Sequence, residues 1–318
     1  MSVQRVVQVF VATVCALAAA TLAVGCGEQK GDAGKTKYRI ALIMKSLANE
    51  FFTTMTEGAK EHQQKNASEY DLIANGMKNE TDVNEQIALV DQMIDEKVNA
   101  IVLAPADSKL LVGVCKKALQ RGIKVVNIDN PLDADTLKEA GITIPFVGPD
   151  NREGARLAGE YLATKLHKGD PVAIIEGRPN ALNGEMRKLG FIEAMDRGGI
   201  QVVRSQTANW ERDEAEKVVA GILAAKPELK AVLCANDSMA LGAVAALKRQ
   251  PDILIVGYDN IAAIQEHIKS GRVLCTVDQH ADRIAAEGLN VALEMLAKHE
   301  VRDYTKTPVD VITKDNLK

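Results

Sequence analysis

The chain has 318 residues and a formal net charge of −4, with 39 Lys and Arg against 43 Asp and Glu. Both signs are spread along it without a basic block, which excludes the electrostatic footprint of a nucleic-acid-binding protein. Aromatic residues make up only 3% of the sequence, so the core rests on aliphatic side chains and each ring is worth locating.

Residues 1–5 are short and basic, residues 6–24 are apolar and rich in Ala and Thr, and Leu22-Ala23-Val24-Gly25-Cys26 leads into a polar stretch. A basic start, an apolar middle and small residues before a cleavage point describe a secretory signal. Cys26 at that point matches a lipobox, whose sulfur is acylated before cleavage. The competing reading is a transmembrane anchor, since the run approaches the ~20 residues that cross a bilayer, although an Ala- and Thr-rich run inserts marginally. Residues 1–25 are thus read as a lipoprotein signal peptide. Residues 26–37, mostly Gly, Lys, Glu and Asp, are read as a flexible tether.

The body of the chain alternates short apolar runs with amphipathic stretches. A strand at 39–44 precedes Phe52, Met55 and Ala59 at helical spacing, and a strand at 70–74 precedes a helix with Val83, Ile87, Val90 and Ile94 on one face. A strand at 100–104, a helix with Leu111, Val114, Ala118 and Leu119 closed by Gly122, and a strand at 124–128 follow. After residues 145–148 the rhythm restarts, with helices at 152–168, 185–197, 212–225, 238–248, 261–270 and 282–298. Strands at 172–176, 202–205, 231–235, 253–258 and 274–277 fall between them. Strands alternating with helices predict βαβ units. The fold class is α/β, with two doubly wound parallel sheets in tandem of about five strands each, near the usual size.

Ligands of such sheets bind outside the carboxyl ends of the strands. Lys45, Asn49, Phe51 and Phe52 follow the first strand, and Asp129 and Asn130 follow the run at 125–128. Asn209 and Trp210, then Asn236 and Asp237, then Asp259, then Gln279 and His280 follow strands of the second half. Amides, carboxylates and an ammonium can serve hydroxyl groups, which both donate and accept hydrogen bonds. Three of the scarce rings, Phe51, Phe52 and Trp210, fall among them and offer flat apolar faces. That combination suits a monosaccharide. Blander roles compete: a turn at Asp129-Asn130-Pro131, a helix cap in Asn236-Asp237-Ser238 that falls to Asp237 or Ser238, and plain core for Phe52.

No G-x-G-x-x-G, P-loop, G-x-S-x-G or H-E-x-x-H motif is present, and the five His are scattered. No enzyme, cofactor or metal is therefore expected. Cys115, Cys234 and Cys275 lie in apolar or helical runs and read as buried free thiols.

Several segments together resemble the periplasmic binding proteins of the ribose/allose type, which deliver sugars to ABC transporters. They are Lys45-Ser46-Leu47-Ala48-Asn49-Glu50-Phe51-Phe52, Val126-Asn127-Ile128-Asp129, Ile174-Ile175-Glu176-Gly177, Gly184-Glu185-Met186-Arg187, Ala208-Asn209-Trp210 and Cys234-Ala235-Asn236-Asp237-Ser238-Met239-Ala240-Leu241-Gly242. The resemblance implies a type I, Venus-flytrap fold whose chain crosses between lobes three times, near 148–150, 279–280 and 310. Residues 38–149 with 280–310 would form one lobe, and 150–279 with 311–318 the other.

In that family Lys45 and Asn49 would bond hydroxyls, Phe51 and Phe52 would flank one face of the sugar, and Trp210 would stack on the other. Asp129 and Asp259 would accept bonds, and Asn130, Glu185, Asn236 and Gln279 would complete the ring. Lys45, Glu185 and Trp210 stand where ribose binders resemble one another in having Ser, Arg and Phe, which points to the D-allose branch. Glu50 replaces an expected Pro, Asn130 replaces Arg or Glu, and Asp278 stands where the family has Ala.

The resemblance implies an exported, monomeric lipoprotein in the periplasm or on the outer face of the cell membrane. Anchored through Cys26, it would close around a D-allose-like or related rare hexose for an ABC importer permease. A membrane-tethered sensor that signals to a chemoreceptor or kinase without transport is the alternative.

Overall fold

The computed structural model describes residues 37–317. The signal peptide, the lipobox cysteine and nearly all of the tether lie outside the described residues.

The first half runs β1 (Tyr38–Ser46), α1 (Glu50–Lys65), β2 (Tyr70–Met77), α2 (Val83–Asp95), β3 (Ala100–Leu103), α3 (Leu111–Gln120), β4 (Lys124–Ile128), α4 (Ala134–Ala140) and β5 (Phe146–Pro149). The second runs α5 (Asn151–Ala163), β6 (Pro171–Glu176), α6 (Leu182–Gly198), β7 (Gln201–Thr207), α7 (Arg212–Ala225), β8 (Ala231–Cys234), α8 (Asp237–Ala246), β9 (Leu254–Val256), α9 (Ala262–Lys269) and β10 (Cys275–Asp278). A long helix, α10 (Ala281–Leu296), and two short strands, β11 (Tyr304–Thr307) and β12 (Asp310–Thr313), complete the described chain.

Two six-stranded sheets result, in the orders β11-β5-β4-β3-β1-β2 and β12-β10-β9-β8-β6-β7. The inner strands are apolar on both faces because helices cover both faces, as parallel sheets require. On β1, Ala41 and Ile43 join a cluster with Val90 and Ile94 of α2 and Val114 of α3. The alternate residues Ile40, Leu42 and Met44 join one with Phe52 and Met55 of α1 and Leu289 of α10. The second sheet repeats the scheme, with Val172 and Ile174 packing toward α5 and α6 and Ala173 and Ile175 toward α7 and α8.

Each sheet has six strands against the four and five read from the first and second halves of the sequence. β5, β11 and β12 are the strands that periodicity does not reveal. All three are four residues long, too short to show an alternation. β12 pairs antiparallel with β10, so the second sheet is mixed at one edge.

Although α10 follows a strand of the second sheet, it packs on the first. A Cβ on Gly288 would come 2.7 Å from Ile128, and one on Gly58 of α1 would strike the Asp282 backbone at 2.5 Å. The chain therefore passes between sheets after β5, after β10, and between β11 and β12.

Candidate functional site

The loops that leave the strand ends face one another across the gap between the sheets. Their backbones are unusual. Asp129, Asn209, Trp210, Asp259, Asn260 and His280 all have φ between 52° and 122°, a region costly for residues other than glycine. Such conformations persist only where surrounding contacts over-determine them.

A small cavity lies at this convergence. Its walls include nine of the eleven residues expected from the sequence: Lys45, Asn49, Phe51, Phe52, Asp129, Trp210, Asn236, Asp259 and Gln279.

The first lobe supplies a buried ion pair, with Lys45 Nζ 2.6 Å from Asp129 Oδ2 and 5.8 Å from the Phe52 ring centroid. Phe51 and Phe52 meet edge to face, their centroids 5.1 Å apart. Asn49 Oδ1 caps α1 by accepting from the Phe51 amide at 3.1 Å, while its Nδ2 donates to Glu80 Oε1 at 2.9 Å.

The second lobe supplies an arginine-centred network. Arg187 donates from Nε to Asn151 Oδ1 and from Nη1 to the Ala235 carbonyl, each at 2.8 Å, with Asp259 Oδ1 3.4 Å from Nη1. Its guanidinium lies 3.8 Å from the Tyr258 ring centroid and 5.6 Å from that of Trp210. Gln279 Nε2 donates to Asp259 Oδ1 at 2.7 Å, which leaves Gln279 Oε1 buried and without a protein partner. An oriented acceptor of this kind is open to a hydrogen-bond donor in the cavity. Burial pushes the Asp259 carboxyl well up from its ordinary range, partly offset by Arg187.

The cap of α8 falls on Asn236 rather than on Asp237 or Ser238, where the sequence placed it. Asn236 Oδ1 accepts from Met239 N at 2.9 Å, and the residue lines the cavity.

Two expected residues lie outside the lining. Asn130 is fully buried, but its amide is already used: Nδ2 donates to the Pro105 carbonyl at 2.9 Å, and Oδ1 accepts from Asn183 N of the opposite lobe at 3.0 Å. Glu185 is 45% exposed at its side chain and lies 3.8 Å from Lys188. Helix phase explains the difference. Residues two apart on a helix point to opposite sides, whereas Asn183 and Arg187, four apart on α6, share a face. That face lines the cavity.

Arg187, Asn183 and Glu80 are thus the lining residues that sequence reasoning missed. Arg187 stood within a quoted motif, but which face of α6 turns inward is set by packing rather than by that motif. Glu80 follows β2 with no local signal. It is 5% exposed, and burial raises its pKa, partly offset by Lys45 and the Asn49 hydrogen bond.

The lobes are closed over the cavity. Ser108 N donates to Asn180 O at 3.0 Å, Leu182 N to Ser108 Oγ at 3.1 Å, and Arg178 Nη1 to Glu80 O at 2.5 Å. On the other side Ala263 N, in the first turn of α9, donates to Glu50 Oε2 at 3.1 Å.

Two α/β lobes that enclose a small polar cavity between their strand ends define a ligand-enclosing binding protein. The family profile described as a periplasmic binding protein domain matches residues 40–300, and the chain belongs to that family. It is 51% identical over 284 residues to the D-ribose/D-allose-binding protein of Pseudomonas aeruginosa, spanning 87% of this chain and 89% of that one. It is 32% identical to the D-allose-binding periplasmic protein of Escherichia coli, over 84% and 88% of the two chains.

Among solved structures, an ABC transporter solute-binding protein from Burkholderia multivorans superposes with a TM-score of 0.86 at 53% identity, covering 88% of this chain and all of that one. One from Actinobacillus succinogenes with bound D-allose gives 0.83 at 36% identity, over 88% and 98%. These relatives are substrate-binding proteins, and the chain is a binding protein rather than an enzyme.

Proposed function

We propose that this protein captures a monosaccharide of the D-ribose/D-allose type outside the cytoplasmic membrane and presents it to an ABC importer. Cys26 would carry the lipid that holds it there. The observation that carries this reading is the lining of the cavity: rings from both lobes, Phe51 and Phe52 against Trp210, with amides and carboxylates around them.

Each lobe holds part of the lining, so a sugar gains its full set of contacts only when both lobes meet. Ligand therefore favours the closed state by differential affinity, and the three crossings serve as the hinge. Lys45, Asn49 and Asp129 would bond hydroxyls from one side, with Asn236, Asp259 and Gln279 bonding from the other. Asn130 enters as a brace between lobes. Micromolar affinity, ~−8 kcal/mol, suits such a lining.

The test is a thermal-shift screen over pentoses, hexoses, ketoses and polyols. A ligand at 100 times its Kd adds about 2.7 kcal/mol of stability, and D-allose and D-ribose are expected to give the largest upward shifts. A screen in which no carbohydrate moves the transition overturns the ligand class. Replacing Cys26 with Ser is expected to release the protein from the membrane fraction.

A further inference from the structure

The loop after β2 enters the site through Glu80 alone. Its carboxylate binds Asn49 at 2.9 Å, within the first lobe. Its backbone carbonyl binds Arg178 at 2.5 Å, across the cleft. One residue thus touches both the polar lining and the contact that seals the lobes.

Asn49 has little freedom to orient itself otherwise. Its Oδ1 is committed to the Phe51 amide, so its Nδ2 must point away from α1. One proton of that amide nitrogen goes to Glu80, and Asn49 itself lines the cavity. Asn49, Glu80 and Trp210 also form the wall shared by the inner cavity and the outer cleft. A displaced Glu80 side chain would therefore loosen the Asn49 amide and open that wall together.

We propose that Glu80 is a positioning residue for ligand capture: it orients the Asn49 amide and couples that orientation to closure through the Arg178 contact. The inference rests on the reading of the cavity as a sugar site. Glu80 need not touch the sugar; it acts through Asn49. A carboxylate costs burial energy wherever it is dry, and Lys45 and the Asn49 amide partly offset that cost for Glu80.

The experiment is a double-mutant cycle on the full-length protein, read by calorimetric titration with D-allose and D-ribose. Glu80→Ala is expected to weaken binding roughly tenfold, the worth of one oriented hydrogen bond at its upper range. Glu80→Gln keeps an acceptor for Asn49 and is expected to stay within about threefold of the wild type. In an Asn49→Ala background, Glu80→Ala is expected to add no further loss, because residues acting as one unit are non-additive. Arg178→Ala, which removes only the cross-cleft bond to a carbonyl, is expected to raise the dissociation rate and leave association unchanged.

Ligand-free melting temperatures separate misfolding from weakened binding, and Glu80→Gln and Arg178→Ala carry the test if Glu80→Ala does not fold. Additive losses in the cycle, or Glu80→Gln binding as weakly as Glu80→Ala, overturn the proposal while the sugar reading stands. A wild-type protein that binds neither sugar overturns both.

Discussion

Trp210 is the side chain on which the site's apolar face depends, and replacing it with Ala is the most informative single change. The indole is 4% exposed and is fixed from behind by glycines. A Cβ on Gly184 would come 2.9 Å from its Cζ2, and one on Gly177 would overlap the ring. If roughly 60–80 Å² of one indole face covers the ligand, burial at about 25 cal/mol per Å² contributes ~1.5–2 kcal/mol. That corresponds to a loss of roughly 10- to 30-fold in affinity. Trp210→Phe keeps a ring and is expected to lose only a few-fold. Gly177→Ala leaves the indole in the sequence but forces it forward, and it is expected to weaken binding more than Trp210→Phe does. Titration calorimetry measures the series. Because Trp210 is the only tryptophan in the chain, wild-type fluorescence is expected to change on ligand addition. Trp210→Ala binding within threefold of the wild type would refute the stacking argument.

Three further outcomes are expected. Gly190→Ala should destabilise the second lobe by about 1–3 kcal/mol, because the new methyl collides with the Arg152 carbonyl and lies 2.9 Å from Arg156 N between α5 and α6; a melting temperature equal to the wild type would count against that packing. Burial pushes the Asp237 carboxyl up to about 7 against hydrogen bonds from Thr276 and Ile261, while an unfolded carboxyl titrates near ~3.9. The folded state then holds a proton that the unfolded state has lost, so this group's contribution is full below about pH 4 and disappears as pH rises through about 7. Asp237→Asn should therefore melt near the wild type in acid and show a flatter decline toward pH 8; parallel pH profiles would contradict this. Finally, burial raises the Cys115, Cys234 and Cys275 thiols, so with Cys15 and Cys26 replaced by Ser an aromatic disulfide reagent should label none of them in the native protein and all three in denaturant.

Much of this protein is written locally. Runs such as Ala100–Leu103 and Ala231–Cys234 are apolar at every position, which requires a sheet covered on both sides. The residues just beyond such runs could then be named as the ligand edge. The segment at Asn236 was ambiguous between cap and pocket because one side chain does both, its amide oxygen serving the helix while the residue lines the cavity. Other features had no local trace. Tyr304–Thr307 and Asp310–Thr313 become strands only because the exposed edges of β5 and β10 are there to pair with. Glu80 lies 31 residues from Asn49 in sequence, and nothing in its own neighbourhood marks it.

The sequence by itself determined the two-sheet architecture and the strand-end edge, because the period of burial is a property of consecutive residues. The tertiary structure alone decided which face of α6 points inward, so that Arg187 lines the cavity and Glu185 faces water. It also decided that Glu80 meets both Asn49 and Arg178. Those outcomes depend on how whole elements pack and rotate against one another, and on hydrogen bonds between groups that only folding brings within 3 Å.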